Sequence, residues 1–277
     1  MGFCIYLFFM SASNKLIDRS ALLRNRARFN VDRGRFLHDQ ALVEAKDRLA
    51  IVNKSFVNVA LITGHPGLWR PAFPNATFLT DKETLDLVPN TCDLVVHAMV
   101  LHWSNDPLGQ MIQCQRALRP DGLFLGVMMG GKTLFELRNA FAEAESKITG
   151  GLSPRVLPMS DIRDIGALLQ RAGFAMPVVD SVLLPVTYET PLNLMRDLRD
   201  MGEANAQTAR CKHFTGRALI EETIKVYFQN YSKNDERIYA TFEQLWLAGW
   251  SPSECQPKPL RPGSAKMSLY DALKVAE

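Results

Sequence analysis

Cysteine is scarce and scattered. The five present (Cys4, Cys92, Cys114, Cys211 and Cys255) form no C-x-x-C pair. This leaves neither a disulfide framework nor a Cys-rich zinc site, and points to a reducing compartment, taken as the cytoplasm of a bacterial cell. Long apolar runs are lacking too. The strongest, GFCIYLFFM at residues 2–10, falls far short of the roughly 20 residues that cross a bilayer. With no basic stretch before it or small-residue cleavage site after it, the run is read as lying ahead of the true start, with translation beginning at Met10. Neither charge dominates, since 32 Lys+Arg against 29 Asp+Glu leave +3, and no nucleic-acid partner is expected. There are no repeats or low-complexity tracts, and 47% hydrophobic residues with 22% charged ones exclude collagen-like, coiled-coil and disordered classes.

What is present begins with a basic arm. Residues 15–35 carry Lys15, Arg19, Arg24, Arg26, Arg28, Arg33 and Arg35 against Asp18 and Asp32, an excess larger than that of the whole chain. Two readings stand: an arm that docks on an acidic partner or a membrane surface, or a solvated helix face backed by Leu16, Leu22, Leu23 and Phe29. In the docking reading, Lys258, Arg261 and Lys266 of the tail contribute as well.

Helical periodicity covers 36–52. An apolar run, VNVALI at 57–62, ends at Thr63-Gly64 and reads as a strand buried on both faces. DLVVHAMVL (93–101) and LFLGVMM (123–129) read as two more strands, separated by a helix at 107–118 and the turn Arg119-Pro120-Asp121-Gly122. A helix from TLFELRNAFAEAE follows, then another at 160–172 closed by Gly173. This alternation predicts a parallel, right-handed doubly wound sheet. An extended run at 178–188, helices near 191–201 and 215–231, and a last apolar run, TFEQLWLAGW, complete the chain. The domain reading is an N-terminal segment with helices over 1–52 and a sheet domain over 53–277, with a helical insertion at about 190–235.

Gly126-Val127-Met128-Met129-Gly130-Gly131-Lys132-Thr133 satisfies G-x-x-x-x-G-K-[ST], the pattern of a loop that cradles nucleotide phosphates. Against it, Val127-Met128-Met129 continue the strand, and no partner strand ends in a magnesium-binding Asp. A tight glycine turn leading into a helix is the plainer reading.

The segment from Asp93 to Glu145 carries D-L-V-x-x-x-x-x-L-H-W-x-N-D, R-x-L-x-P-D-G-x-F-x-G and G-G-x-T-L-x-E-L, with Asp93, Leu101, His102, Trp103, Asn105, Asp106, Pro120, Asp121, Gly122, Gly130, Gly131, Thr133, Leu134, Glu136 and Leu137 in place. With SPRVLPMSDIRDIGALLQRAGF, Met201-Gly202-Glu203-Ala204-Asn205 and GWSPSECQPKPLRPGSAK, it resembles the class I S-adenosylmethionine-dependent methyltransferases. The resemblance is to the branch of mitochondrial complex I assembly factor 5 and its bacterial relatives, and it extends over about residues 15–275. It implies a Rossmann-like sheet of seven strands, mostly parallel, with TFEQLWLAGW as the antiparallel last strand. It also implies S-adenosylmethionine as cofactor and a protein partner or substrate. Relatives assist respiratory complex I assembly, and a eukaryotic one is associated with arginine hydroxylation.

The cofactor half departs from that pattern. Where the family has A-L-D-L-G-x-G-x-G, this chain reads Ala60-Leu61-Ile62-Thr63-Gly64-His65-Pro66-Gly67. Ile62 replaces the acid, and Pro66 replaces a glycine and removes an amide donor. Leu79-Thr80-Asp81-Lys82-Glu83-Thr84-Leu85 resembles the stretch whose Asp contacts the adenine. Only 17 positions separate Gly64 from Asp81, too few for helix, strand and helix when a single βαβ unit takes about 30 residues. No acid for the ribose hydroxyls is found. The surviving cofactor positions are Gly64, Gly67, Asp81, His97 and Ala98.

His102 is a candidate general base and Asp106 a second catalytic candidate. Their plainer readings are a packed strand end and a helix N-cap. Glu203 and Asn205 are candidates for lining a substrate opening. No metal is expected. The functions left open are a methyltransferase-family protein with an eroded cofactor site, a non-catalytic assembly factor using the fold as a binding surface, and the phosphate-loop nucleotide binder.

Overall fold

A computed structural model describes residues 15–232 and 237–257, with 263, 264 and 268. Met10 and the tail residues Lys258, Arg261 and Lys266 lie outside these.

The apolar runs become strands as expected. β1 (Val59–Thr63) and β3 (Cys92–Ala98) pair in parallel, and β3 pairs in parallel with β4 (Leu118–Met129). Their side chains alternate between two cores. Leu61, Leu94 and Val96 pack on one face with Leu37, Ala41 and Ala45 of α2 (Phe36–Ile51), Phe141 of α5 (Phe135–Thr149) and Tyr227 of α8 (Arg217–Tyr231). Ala60, Ile62 and Val95 pack on the other with Met111 and Cys114 of α4 (Pro107–Ala117) and Ile165 and Leu169 of α6 (Ile162–Arg171). The result is a three-layer helix–sheet–helix sandwich.

The far side of the sheet is antiparallel and long. β5 (Ala175–Tyr188) pairs with β6 (Ile238–Trp250), and β6 pairs antiparallel with β4, so TFEQLWLAGW does form the last strand. α7 (Pro191–Asp200) and α8 lie between β5 and β6 in the chain. The near side is short. After β1 comes a four-residue helix, α3 (Pro66–Trp69), and then a three-residue strand, β2 (Thr77–Leu79), parallel to β1 at the sheet edge.

The order is β2-β1-β3-β4-β6-β5, with six strands among the described residues rather than seven. Between β1 and Asp81 there is room only for the one-turn α3 and the three-residue β2, and β2, the strand leading to Asp81, pairs directly with β1.

Two expectations are corrected. α5 begins at Phe135, not at Thr133, after Leu134 takes a left-handed φ of 55°. The phosphate-loop reading fails because Gly126 lies inside β4, paired with His97 and Leu247. The turn amides are also spent: Gly130 N donates to Glu243 O, Gly131 N to Ser160 O, Thr133 N to Gly130 O, and Lys132 N to the Glu243 carboxylate. A carboxylate stands where a phosphate would have to sit.

Candidate functional site

Parallel strands deliver their loops to one edge, where ligands of such sheets bind. Gly64 follows β1, Asp81 follows β2, His97 and Ala98 end β3, and His102 sits in a 3-10 turn (Leu101–Trp103) just beyond. The edge therefore gathers Gly64, Asp81, His97, Ala98 and His102. Gly67 lies in α3, with nothing within 4 Å of where a Cβ would stand, beside a separate cavity shared with Phe29, His65 and Pro66.

The basic arm covers this edge. Its helix, α1 (Arg19–Arg26), is capped by Asp18, whose carboxylate accepts from Ala21 N. Arg19 donates two hydrogen bonds to Asp81, each 2.8 Å, and Arg26 Nη1 donates a third at 2.7 Å. Asp81 is 4% exposed and Arg26 9%. Burial alone would raise the Asp81 carboxyl, but hydrogen bonds from Arg19 and the charge of Arg26 override it and hold it at about 2. A Cβ placed on Gly64 would stand 2.9 Å from Arg26 Nε, so the guanidinium lies directly on the glycine turn.

Within the arm, Lys15, Arg19, Arg26, Arg33 and Arg35 each pair with a carboxylate, while Arg24 and Arg28 are exposed. Leu22 is buried, while Leu16 and Leu23, expected on the apolar face, are exposed. Arg19 and Arg26 stand seven residues apart, two helical turns, and so share a face with Leu22. That spacing is the signal by which sequence reasoning could have found them.

The MGEAN stretch clamps α1 from outside. Asn25 Nδ2 donates to Ala204 O at 2.8 Å, Asp18 N to Ala206 O at 2.8 Å, and Arg210 pairs with Asp18 at 2.9 Å. Gly202 has φ +74°, and its missing Cβ would come within 3.0 Å of Arg26 Cα, so glycine is required twice over. From below, Asn105 accepts from Ile17 N at 2.8 Å and donates to Ile17 O at 3.2 Å.

The residues as they stand do not fit S-adenosylmethionine in the manner of the family. Ile62 is fully buried where the acid belongs, Pro66 opens α3 where an amide is needed, and both Asp81 oxygens are held by arginines. Among the buried nitrogens of the described residues that have no partner, three belong to residues at or beside this edge: Arg26 Nη2, His65 Nε2 and His97 Nδ1. His97 Nε2 lies 3.0 Å from Gln110 Oε1. Because that oxygen only accepts, Nε2 carries the proton. Burial lowers His97 to about 4 and His38 to about 3. His38 accepts from Trp69 Nε1 through Nδ1 at 3.3 Å. His65 is also lowered by burial and stacks on Phe29, ring centres 4.1 Å apart.

A second cavity, of about 440 Å³, opens on the other side of Trp103. Met129, Phe141, Met195 and Met201 give it apolar walls, with Trp103 and Glu203 at its polar end. Glu203 Oε2 accepts from Trp103 Nε1 at 2.7 Å and lies 3.3 Å from His102 Nε2. His102 Nδ1 accepts from Met129 N at 3.4 Å, which leaves the ring proton on Nε2, facing Glu203. Burial would raise the Glu203 carboxyl, yet His102 and Arg26 hold it below the usual range.

Asn205 also lines this cavity, but its amide is committed to Pro154 O and Gln207 N. Asp106 caps α4 by accepting from Gly109 N at 2.8 Å. Among the described residues no group of three or more His, Cys, Asp or Glu could hold a metal.

A family model for a methyltransferase domain matches residues 65–126. The chain is 38% identical over 204 residues to arginine-hydroxylase NDUFAF5, mitochondrial, of Danio rerio, covering 74% of this chain and 63% of that protein. It is 33% identical over 189 residues to malonyl-[acyl-carrier protein] O-methyltransferase of Laribacter hongkongensis, covering 68% and 61%. The chain thus spans about three-fifths of the length of these relatives. Among solved structures, the YcgJ protein of Bacillus subtilis superposes with a TM-score of 0.50 at 13% identity, covering 77% of this chain and 99% of that one, a likeness of fold alone.

Proposed function

We propose, from the premise that this chain belongs to the class I S-adenosylmethionine-dependent methyltransferase family, that it works through the cavity ending at Glu203, which takes a cationic side chain of a protein partner. The observation that carries this reading is a carboxylate set among apolar and aromatic walls. The two arginines that line the cavity are already neutralised, Arg155 by Glu145 at 2.6 Å and Arg210 by Asp18 at 2.9 Å, and Arg26, whose charge also reaches Glu203, is paired with Asp81, so Glu203 sets the sign of the cavity. Its Oε1 takes part in neither the Trp103 nor the His102 bond. Trp103, which lines the cavity, offers a face on which a flat guanidinium stacks, as Arg155 already does on Phe141, 5.5 Å from the ring centre. A relative named as an arginine hydroxylase supports the same side-chain class.

While α1 is seated, the protein binds such a partner without transferring a group, which is the behaviour of an assembly-type factor. The described cysteines are free thiols, which suits the cytoplasm or another reducing compartment. No described helix is long and apolar enough to cross a membrane.

The test is calorimetric titration with an arginine-bearing peptide and its citrulline counterpart, which keeps the shape and loses the charge. The arginine peptide is expected to bind at least tenfold tighter, a preference that Glu203→Gln abolishes. Equal binding of the two peptides would refute the reading. Methyl transfer to an acceptor in the same cavity is the second reading, favoured by the survival of Gly64, Asp81, His97 and Ala98 at the strand ends.

A further inference from the structure

We infer that Arg26 is a built-in competitor for the cofactor site. With α1 seated, its guanidinium fills the space between Gly64 and Asp81, and S-adenosylmethionine gains that space only when α1 lifts.

Contact, charge and anchoring meet at one point. The guanidinium lies so close to Gly64 that even a methyl group there would collide with Nε at 2.9 Å, so no ligand can occupy that side of the turn at the same time. The carboxylate of Asp81, which the family resemblance assigns to the adenine, is saturated by Arg26 at 2.7 Å and by Arg19 at 2.8 Å. The contact is not a loose side chain finding a partner. Ala204, Ala206, Arg210 and Asn105 hold α1 and the residues just before it, and Gly202 presses on the Arg26 backbone. Arg26 Nη2 has no partner although the residue is nine-tenths buried, so its pose serves the Asp81 contact and the glycine turn rather than a complete set of its own bonds.

A ligand that binds only the lifted state has its apparent affinity reduced by the fraction of molecules in that state. By the same linkage, the ligand must draw α1 away as it binds. Asp81 keeps Arg19 when Arg26 is replaced, so the carboxylate is not orphaned by the change. This inference stands apart from the partner reading of the Glu203 cavity, which is tested with peptides.

The experiment titrates S-adenosylmethionine into the full chain and into Arg26→Ala by calorimetry, and follows amide hydrogen exchange of residues 19–26 in the wild-type protein with and without the ligand. Arg26→Ala is expected to bind at least tenfold tighter than the wild type, with faster exchange in α1 of the wild type as ligand is added. Equal or weaker binding by Arg26→Ala, including no binding by either protein, overturns the inference. Slower or unchanged exchange in α1 on ligand binding overturns it as well. If Arg26→Ala does not fold, Arg26→Gln, which keeps the stem and a donor but loses the charge and the reach to Asp81, is judged by the same tenfold criterion.

Discussion

The two sides of this sheet are built by different means. On the side of β4, β6 and β5, strands of 12, 13 and 14 residues carry long ladders, with one register shift between Ala175 and Val178, and Phe124, Phe242, Leu245, Trp246 and Leu247 are buried between helices on both faces. On the side of β1 and β2, strands of five and three residues are joined through a one-turn helix. There the edge is closed by arginines reaching 55 and 62 residues along the chain to Asp81. The first side is held by apolar area, which tolerates substitution gradually. The second is held by a few buried charges, where removing one partner leaves the others stranded. Where the strands and helices are short, side chains from a distant segment close the edge instead.

The sharpest way to break this comparison is to remove the shared carboxylate. Asp81→Asn leaves Arg19 and Arg26 without a counter-charge and should cost about 3 kcal/mol or more. Asp121→Asn, by contrast, touches a half-exposed pair with Lys54 and should cost under about 1 kcal/mol. Urea unfolding of the two variants decides the matter. Similar losses would mean that the arginine cluster carries no more of the fold than a surface pair does.

Acid should separate the two sides next. His38 and His97, at about 3 and about 4 in the folded state against 6.5 ordinarily, are both kept neutral by burial. The unfolded chain takes up protons first. Their contribution is therefore complete above about pH 6.5 and lost as the pH falls toward the folded values, amounting to about 2 kcal/mol for each by pH 5. Asp81, held at about 2, behaves differently, because its contribution survives until the pH drops below about 4 and is lost on the way to 2. Denaturant midpoints measured between pH 7 and pH 5 should fall steadily, and His97→Gln should flatten the slope. A flat profile in the wild type would show that these rings are not buried neutral.

Much of the stronger side is legible in the sequence, because its signals are periodic. Leu123, Phe124 and Leu125, with Val127, Met128 and Met129, are apolar on both faces, as a strand covered on both sides must be. TFEQLWLAGW shows itself as a strand for the same reason. The shortness of the other side is legible too, from the 17 positions between Gly64 and Asp81, which cannot hold a helix, a strand and a second helix. What is not legible is how its edge is closed. Arg19 and Arg26 read as surplus charge because a contact between residues 55 or 62 apart has no period, and only their two-turn spacing hints at a shared face. Gly202 reads as one letter of a motif, and nothing local says that its φ is positive or that Arg26 passes beneath it. Asp106 and Asn105 read as cap residues, and Asp106 is one. Asn105 instead ties down Ile17, a tertiary role that no helix signal announces.

Gly202→Ala tests whether the clamp is as close as it stands. A φ of +74° and an approach of 3.0 Å to Arg26 Cα each penalise a side chain, and together they should cost about 1–3 kcal/mol. Gly150→Ala is the control, with a similar φ of +70° but open space around it, and should cost only the conformational part, about 1 kcal/mol. If thermal melting shows equal losses, α1 is not pressed against the MGEAN stretch.

The smallest effect is expected at Lys132, and its smallness is informative. The pattern around it matches a phosphate-binding loop to the letter, but its backbone amide is bonded to Glu243 at 2.8 Å, and the neighbouring turn amides are bonded to Glu243 O, Ser160 O and Gly130 O. A phosphate cradle needs free amides converging on an anion. Here the turn stitches β4 to β6 and belongs wholly to the strongly built side. Lys132→Ala should therefore leave ATP binding, measured by calorimetry, and the unfolding midpoint unchanged, the latter within about 0.5 kcal/mol as for an ordinary surface substitution. A clear loss of ATP affinity in this variant would place a ligand site on the side described as closed packing, and the division between a filled edge and a solid one would have to be redrawn.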